Sequence, residues 1–187
     1  MKIIGITGGI GSGKSVVSRI LNTRGIPVYD CDKNAKRLEE EDLNVVDSIK
    51  AAFGEDSYMA GKLNKQYLAK KIFGDKKNLE TMNNIVHPAV RKDFAQWCDK
   101  NKANGVKIVG IESAILSESS IDKIVDSVWV VTAPLETRIE RACKRDKAKR
   151  EDIENRIINQ KESAGDVIIL NDDEHSLIMQ IEVALKN

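Results

Sequence analysis

The stretch ITGGIGSGKSVV, residues 6–17, decides how this chain folds. It follows the apolar run KIIGIT and leads into branched apolar residues at helical spacing, so a glycine-rich turn joins a buried strand to a helix. Its glycines, lysine and serine match the pattern G-x-x-x-x-G-K-[S/T], in which the loop backbone surrounds phosphate groups. A connection without a ligand would have no use for a Lys-Ser pair at that spacing, so the stretch predicts a nucleotide-binding phosphate loop.

The chemistry of this loop predicts ATP and Mg²⁺ as its ligands. Glycine permits backbone angles that turn successive N–H groups inward, and the start of the following helix adds unpaired N–H groups and the positive end of its dipole. We expect Lys14 to contact the β- and γ-phosphates and the Ser15 hydroxyl to bind Mg²⁺. The predicted nucleotide-binding residues of the loop are Gly8, Gly9, Gly11, Ser12, Gly13, Lys14, Ser15 and Val16.

Length and composition fit one domain, with or without an insertion. The chain has 187 residues, of which 41% are hydrophobic and 32% charged, and a formal net charge of +1. This balance argues against the broad basic surface that collects nucleic acid. Three cysteines without metal-ligand spacing favour a reducing, cytoplasmic compartment. Since there is no leader pattern and no apolar run of about 18 residues, we expect neither export nor a membrane span.

Strand and helix patterns alternate along the chain. Helical spacing of apolar residues at 15–25, 134–146 and 172–185 separates short apolar runs that are continuous rather than alternating, as in strands buried on both faces. Such alternation indicates parallel βαβ units and a three-layer α/β fold, with a five-stranded parallel sheet and helices on both faces. The five predicted strands are residues 2–7, 27–30, 106–112, 127–132 and 166–170.

Residues 33–105 interrupt this alternation. They contain no convincing strand and are far too long for a simple crossover, so we expect a helical subdomain inserted at one edge of the sheet. A later helical segment rich in arginine and lysine is typical of a lid. The predicted organisation is a single domain with a helical insertion at 33–105, a lid at 138–160, and a core formed by residues 1–32, 106–137 and 161–187.

A phosphate loop alone does not determine the reaction. A GTPase switch would need a D-x-x-G turn and an N/T-K-x-D motif, and the sequence has neither. A motor or transporter ATPase would usually end a strand in Asp-Glu, whereas the run at 106–112 ends in the single Glu112. The helical insertion and the basic lid together favour a small-molecule kinase. We therefore expect a single P-loop kinase domain in which the insertion at 33–105 binds the acceptor. A kinase of another hydroxyl or nucleoside acceptor and a nucleotide-binding regulatory ATPase are the alternatives.

The second predicted strand ends in the sequence PVYDCD, which places Asp30 and Asp32 at the carboxyl end of a strand. Open α/β sheets bind their ligands at that end. A carboxylate there can orient an acceptor hydroxyl, accept its proton, or hold Mg²⁺ through water. One of the two can instead cap the helix expected from about Lys33. The sequence favours Asp32 for function and leaves Asp30 undecided.

Arginines are spread along the lid, and two of them are the stronger candidates for function. Phosphoryl transfer spreads negative charge over the equatorial oxygens, and a planar guanidinium matches these oxygens with two donors. We expect Arg141 and Arg145 to counter this charge together with Lys14. The neighbouring Lys147, Lys149 and Arg150 fit a solvated face better, as most charge runs do.

Several motifs together make the chain similar to the dephospho-CoA kinase family, nearly from end to end. The string TGGIGSGKS is more specific to this family than the bare phosphate loop, and the second Asp of PVYDCD, Asp32, stands at the family's catalytic carboxylate. The segment 61–90, which ends near the pair His87-Pro88, resembles the family's acceptor-domain signature.

The last third of the chain resembles the same family. The segment AGDVIILND at 164–172 is similar to its last strand, and the resemblance implies that Asn171 lies near the adenine of ATP. The segment ERACKRD followed by NRIINQ is similar to its lid and places four residues on family positions, Arg141, Arg145, Arg156 and Gln160.

The resemblance implies transfer of the γ-phosphoryl group of ATP to the ribose 3′-hydroxyl of dephospho-CoA, the last step of coenzyme A biosynthesis. Asp32 would position and deprotonate that hydroxyl. The expected partners are then two small molecules, ATP and dephospho-CoA, with no nucleic acid and no membrane, and the expected state is a monomer or a weak homo-oligomer. The implied acceptor-binding residues are Asp32, Lys36, His87 and Glu118.

A few positions depart from the family pattern. Val16 stands where Thr is usual, so a hydroxyl is absent there. Lys36 replaces an Arg, so it can meet a phosphate as a point charge but not as a two-pronged fork. Lys65 also stands where Arg is common, and Ser117 replaces an aromatic residue just before Glu118, which is kept. These changes concern the shape of the acceptor pocket more than the chemistry.

Overall fold

The computed structural model describes residues 1–161 and 163–186. The chain divides into two compact units, one made of residues 1–29 and the part from residue 104 onward, the other of residues 30–103. The strands are β1 (Lys2–Gly8), β2 (Val28–Asp30), β3 (Tyr58–Met59), β4 (Lys62–Leu63), β5 (Ile108–Glu112), β6 (Ser127–Thr132) and β7 (Val167–Leu170). The α-helices are α1 (Lys14–Thr23), α2 (Cys31–Glu41), α3 (Leu43–Phe53), α4 (Lys65–Ile72), α5 (Lys76–Ala103), α6 (Leu135–Asp146), α7 (Arg150–Ile158) and α8 (Leu177–Lys186).

A five-stranded parallel sheet forms the centre of the first unit, with the strand order β2-β5-β1-β6-β7. β1 lies in the middle, where Ile6 is opposite Glu112 of β5 and Gly8 is opposite Val131 of β6. The second half of β1 is buried on both faces, as its continuous apolar run predicts. Because parallel strands end at the same edge of a sheet, the turn after β1 lies beside the ends of β5 and β6.

One apolar core joins this sheet to the helices beside it. Ile4 and Ile6 of β1, Trp129 of β6, Leu21 of α1 and Ile181 of α8 belong to a single cluster, and each is at most 1% exposed. Burial of apolar surface contributes about 25 cal/mol per Å² to folding, so this cluster is a major source of the stability of the unit. It also fixes β1 and α1, the two elements on either side of the glycine-rich turn.

The segment predicted as a lid contains most of α6 and all of α7, which pack on each other. Ile139 and Ala142 of α6 and Ile153 of α7 are buried in one small cluster. Ile10, from the turn after β1, packs against the same cluster. The two helices and the glycine-rich turn therefore share a core of their own.

The second unit is helical, with a short antiparallel hairpin of β3 and β4. Asp42 ends α2 and caps α3 with its carboxylate, which explains the break between these helices. Ile49 of α3 and Leu68 of α4 are buried in its core, and Phe94 stacks on Trp97 within α5. Although α5 has 28 residues, no helix in the described ranges is long and apolar enough to cross a bilayer.

Two elements differ from the sequence prediction. The hairpin lies within residues 33–105, where the sequence predicts no strand, and it turns through Ala60 and Gly61 with φ of 51° and 77°. The last helix begins at Leu177 rather than near residue 172. The carboxylate of Asp172 accepts the N–H of His175 at 2.8 Å, so the acidic residues form a turn before the helix instead of its first turn.

Candidate active site

The glycine-rich turn between β1 and α1, residues 8–15 and called the phosphate loop below, adopts a conformation that glycine enters most easily. Gly8, Gly11 and Gly13 have φ of 146°, 75° and 96°. A Cβ at Gly8 would meet the backbone oxygen of Val131, and a Cβ at Gly11 would meet that of Arg138. Both the backbone angles and the close approach of neighbouring backbone therefore require glycine.

Lys14 and Ser15 open α1, with Gly13 as its N-cap. The Lys14 ammonium donates to the backbone oxygens of Gly8 at 2.9 Å and Gly9 at 3.2 Å, so the side chain folds back across the loop. Ser15 is exposed, and the first turn of a helix leaves backbone N–H groups without acceptors inside the helix. An anion on this loop would meet a cation, a hydroxyl and several N–H groups within one turn.

A cavity of about 490 Å³ adjoins the phosphate loop. Ligand pockets usually measure about 300–1,000 Å³. Its walls include Gly8 and Gly9 of the loop, Thr132 at the end of β6, Arg138 of α6 and Gln160. Burial lowers the pKa of the Arg138 guanidinium from its ordinary value, and a guanidinium remains cationic at neutral pH. The cavity therefore combines a glycine backbone with a positive charge.

The phosphate loop contacts three side chains from distant parts of the chain. Arg138 donates from Nε to the backbone oxygen of Ile10 at 2.9 Å, and the N–H of Ile10 donates to Oε1 of Gln160 at 2.8 Å. Ser12, which is fully buried, accepts at its backbone oxygen from the side-chain amide of Asn171 at 2.8 Å. Asn171 thus lies beside the loop, while its predicted contact with adenine stays a prediction.

The two arginines expected to counter phosphoryl charge contact protein groups in this structure. Arg141 donates to the backbone oxygen of Asn171 at 3.2 Å. Arg145 holds the carboxylate of Asp146 with donors at 2.7 and 3.1 Å, and Arg156 adds a third donor at 2.8 Å. These hydrogen bonds lower the pKa of Asp146 to about 2. Contact of Arg141 or Arg145 with a phosphate stays a prediction.

The sequence did not single out Arg138 as a contact of the phosphate loop. Its partner Ile10 lies 128 positions away, so no local pattern reports the contact. The signal that was available is spacing, because Arg138 precedes Arg141 by three positions on one face of α6.

A carboxylate lies at the end of β5, beside the strand that leads into the loop. Glu112 is in register with Ile6 of β1, and its Oε2 accepts the hydroxyl of Ser18 at 2.6 Å. Ser18 follows Ser15 by one turn of α1. This is the strand-end placement at which phosphate-loop proteins carry an acid associated with Mg²⁺. A single acid at the end of an apolar run carried little weight in the sequence.

In the second unit, Asp30 and Asp32 differ in what they do. The Oδ1 of Asp30 accepts the N–H of Lys33 at 2.9 Å and caps α2. Asp32 lies in the first turn of the same helix and is exposed. The cap that the sequence could not place on either residue therefore belongs to Asp30, and the carboxylate of Asp32 is accessible.

Asp32 borders a mostly apolar cavity of about 580 Å³ in this unit. Lys36, Glu39 and Lys65 supply charge to its wall. Burial raises the pKa of Glu39, while the two lysines act to lower it. The apolar part of the wall consists of Ala35, Leu63, Leu68, Ala69, Ile72, Phe73 and Met82.

The other two predicted acceptor contacts border neither cavity. His87 lies in α5 directly before Pro88 and is half-buried. Burial lowers the pKa of the His87 imidazole, and the positive charge of Arg91 lowers it further, so both effects favour the neutral ring. Glu118 is exposed in the turn that follows β5. Roles for His87 and Glu118 toward a substrate stay predictions.

With this geometry in place, similarity to known proteins decides the family. The family model of dephospho-CoA kinase matches residues 2–176. The chain belongs to the dephospho-CoA kinase family. The dephospho-CoA kinase of Bacteroides fragilis strain YCH46 is 43% identical to it over 183 residues, which cover 95% of this chain and 88% of the relative. The dephospho-CoA kinase of Porphyromonas gingivalis is 42% identical over 187 residues, which cover 97% of this chain and 91% of the relative.

Solved structures show the same fold. A crystal structure from Thermus thermophilus has a TM-score of 0.86 at 29% identity and covers 99% of this chain and 96% of that one. Dephospho-CoA kinase from Campylobacter jejuni has a TM-score of 0.70 at 22% identity, with 100% and 96% coverage, and shares the fold. The predicted resemblance to the dephospho-CoA kinase family and the predicted three-layer P-loop kinase fold are therefore confirmed.

Proposed function

We propose that this protein transfers the γ-phosphoryl group of ATP to the ribose 3′-hydroxyl of dephospho-CoA, the last step of coenzyme A biosynthesis. The observation that carries the proposal is the phosphate loop, whose backbone angles require glycine and whose Lys14 lies at the start of α1. The chain that contains it belongs to the dephospho-CoA kinase family. The triphosphate lies on this loop, and the Lys14 ammonium exchanges the backbone oxygens of Gly8 and Gly9 for phosphate oxygens.

Asp32 takes the proton in this proposal. The 3′-oxygen forms a bond to the γ-phosphorus while the bond to the β,γ-bridging oxygen breaks, which leaves ADP. The proton of the 3′-hydroxyl passes to the carboxylate of Asp32. Asp32 suits this role because it is exposed in the first turn of α2, whereas Asp30 is occupied by the helix cap.

The residues at the start of α1 fit a Mg²⁺ ion. This ion prefers oxygen ligands and keeps several waters, so it needs few protein groups. The exposed hydroxyl of Ser15 is one such oxygen. The carboxylate of Glu112, which accepts the hydroxyl of Ser18 one turn further along α1, would be a second. Val16, where the family usually has Thr, offers none. When bound, Mg²⁺ would neutralise part of the negative charge of the triphosphate.

The lid supplies further positive charge. Arg145 uses Nε and Nη2 on Asp146, and within residues 1–161 and 163–186 its Nη1 makes no hydrogen bond. That donor and the guanidinium of Arg141 counter the charge of the transferring group. Asp146 holds Arg145 in a defined orientation for this contact, and Arg156 donates to the Oδ2 of the same carboxylate.

The cavity beside Asp32 receives the acceptor. Dephospho-CoA carries a diphosphate and a long, partly apolar arm. Lys36 and Lys65 offer positive charge to the diphosphate, and the apolar wall, which includes Ile72 and the largely exposed Phe73, packs against the arm. His87 and Glu118 are proposed as further acceptor contacts on the strength of the family resemblance.

We also propose that the protein works in the cytoplasm, as a monomer or a weak homo-oligomer, without nucleic acid or membrane partners. Its three cysteines form no disulfide in the described chain, which suits a reducing compartment. The formal net charge of +1 gives no broad attraction to polyanions.

One assay tests the proposed reaction. The protein is incubated with ATP and Mg²⁺ and with dephospho-CoA, adenosine or no acceptor, while ADP and phosphorylated product are measured. The proposal predicts one ADP for each 3′-phosphorylated product with dephospho-CoA and little ADP in the other two incubations. Equal ADP formation without an acceptor would favour a regulatory ATPase, and product from adenosine alone would favour a kinase of another acceptor.

A further inference from the structure

We infer that Arg138 and Gln160 are positioning residues that preorganise the phosphate loop for ATP by holding both backbone groups of Ile10. This inference rests on the proposed function, because it takes the loop as the ATP site. The two lid residues would then support ATP binding through the loop backbone, without contacting the nucleotide themselves.

Two hydrogen bonds fix the backbone at Ile10. Its oxygen accepts from Nε of Arg138 at 2.9 Å, and its N–H donates to Oε1 of Gln160 at 2.8 Å. Both distances lie in the usual range for protein hydrogen bonds. The N–H and the oxygen of one residue belong to the two peptide planes on either side of its Cα. Holding both groups therefore fixes φ and ψ of Ile10 in the middle of the loop.

The side chain of Ile10 is held by the same helices. It packs against the buried cluster of Ile139, Ala142 and Ile153, which joins α6 to α7. A branched apolar side chain in such a cluster resists withdrawal into water. The loop is thus attached to the lid by two polar contacts and one apolar contact at a single residue.

The surface of Arg138 is fitted to the residues on both sides of Ile10. A Cβ at Gly9 would meet its guanidinium, and a Cβ at Gly11 would meet its backbone oxygen. Glycine at these two positions lets the loop lie directly against α6. Gly9, Ile10 and Gly11 therefore all lie against Arg138.

A second contact supports the loop two residues further on. The amide of Asn171 donates to the backbone oxygen of Ser12, and Arg141 donates to the backbone oxygen of Asn171. This contact comes from the turn after β7, so Ile10 and Ser12 are held from different elements. Neither contact uses the first turn of α1, where helix geometry offers backbone N–H groups to an anion.

Preorganisation explains why such contacts affect ATP affinity. A loop that is already ordered loses no conformational freedom when the nucleotide binds, and its N–H dipoles are in place beforehand. Loosening Ile10 should weaken ATP binding and leave the affinity for dephospho-CoA nearly unchanged.

A simple charge effect is the competing explanation for Arg138, because its guanidinium lines the cavity beside the loop. Lysine separates the two explanations. Arg138→Lys keeps the positive charge but has no Nε donor with the planar geometry of arginine. If Arg138 acts by positioning Ile10, Arg138→Lys should bind ATP more weakly than the unmodified protein. If Arg138 acts only through its charge, Arg138→Lys should bind ATP as the unmodified protein does.

The test compares four variants. Gln160→Leu removes the acceptor for Ile10, Gln160→Glu keeps an acceptor oxygen, Arg138→Lys removes the Nε donor, and Arg150→Ala changes an exposed lid arginine as a matched control. The readouts are amide hydrogen exchange at Ile10 without nucleotide, measured by NMR, and the dissociation constant for ATP, measured by calorimetry. KM values for ATP and dephospho-CoA are measured in parallel.

We expect faster Ile10 exchange in Gln160→Leu, by about tenfold, and retained protection in Gln160→Glu and Arg150→Ala. The dissociation constant for ATP should rise about fivefold in Gln160→Leu and about tenfold in Arg138→Lys, the range for losing a neutral and a charge-assisted hydrogen bond. KM for ATP should rise with it, and KM for dephospho-CoA should not. Unchanged ATP binding in Arg138→Lys, or unchanged Ile10 exchange in Gln160→Leu, would overturn the inference.

These readouts do not depend on the acceptor. If the protein failed to phosphorylate dephospho-CoA, the proposed function would be wrong, while Ile10 exchange and ATP affinity would still decide the positioning role. Should Gln160→Leu fail to fold, the comparison of Arg138→Lys with Arg150→Ala still decides it.

Discussion

Replacing Gly11 by alanine should destabilise the phosphate loop in two ways, through a disfavoured backbone angle and through a close contact of the new Cβ. Gly11 and Gly25 both have φ of 75°, where alanine is disfavoured by about 1–2 kcal/mol. A Cβ at Gly11 would meet the backbone oxygen of Arg138, whereas a Cβ at Gly25 has nothing within 4 Å. Gly25→Ala therefore measures the backbone cost alone, and Gly11→Ala adds the cost of the contact.

The expected magnitudes follow from these contacts. Alanine restricts the unfolded chain, which offsets about 0.4–1 kcal/mol of the backbone cost, so Gly25→Ala should lower the free energy of unfolding by about 1 kcal/mol. Gly11→Ala must also push the backbone of Arg138 away and disturb its hydrogen bond to Ile10, which is worth about 1.5 kcal/mol. The free energy of unfolding should fall by about 3 kcal/mol.

Urea unfolding followed by circular dichroism measures both stabilities, and calorimetric titration measures ATP binding. We expect ATP to bind at least about tenfold more weakly to Gly11→Ala, since a shift of 1.4 kcal/mol in the loop is already tenfold in affinity. Gly25→Ala should bind ATP as the unmodified protein does. Equal stability and equal ATP affinity in the two variants would refute the close fit of the loop against α6.

Three further predictions concern the proton acceptor, the lid and alkaline pH. Asp32→Asn should lower turnover by at least about a hundredfold, the scale for loss of a general base, with ATP affinity kept in calorimetry, and full turnover would remove Asp32 from the mechanism. Arg145→Ala should slow transfer strongly at an unchanged melting temperature, because its pair with Asp146 is solvent-exposed, and an unchanged rate would return Arg145 to a solvated face. Burial raises the pKa of the Cys98 thiol from 9.0 to about 11, with Asp99 adding to the shift, so the native state should lose stability as pH rises between these values. Melting temperatures of Cys98→Ala should fall less over this range, and parallel profiles for both proteins would contradict the shift.

Most of the sheet could be predicted because its signals are local. Continuous runs such as residues 127–132 report burial on both faces, and the structure has β6 at Ser127–Thr132. The two-residue strands Tyr58–Met59 and Lys62–Leu63 are too short to show any alternation, so the sequence missed that hairpin. The sequence pattern also predicts too early a start for the last helix. The acidic residues around Asp172 resemble a first helical turn, and only their hydrogen bonds show that they form a separate turn.

The candidate site was predictable where its chemistry is consecutive in sequence. The phosphate loop combines the end of a strand, a turn, a lysine and the start of a helix within a few residues. Its sequence pattern therefore predicts phosphate binding directly. The contacts of Ile10 with Arg138 and Gln160 join positions 128 and 150 apart, and only the fold brings them together. Likewise, the choice between Asp30 and Asp32 depended on one hydrogen bond to the N–H of Lys33.

The most direct test of the central claim is a crystal structure of the protein with Mg²⁺, a nonhydrolysable ATP analogue and dephospho-CoA. The account predicts the triphosphate on the phosphate loop and the 3′-hydroxyl oxygen within about 2.6–3.2 Å of the Asp32 carboxylate. The same oxygen should lie about 3–3.5 Å from the γ-phosphorus, in line with the bond that breaks. A 3′-hydroxyl held by another group, or an Asp32 carboxylate turned away from it, would contradict the account.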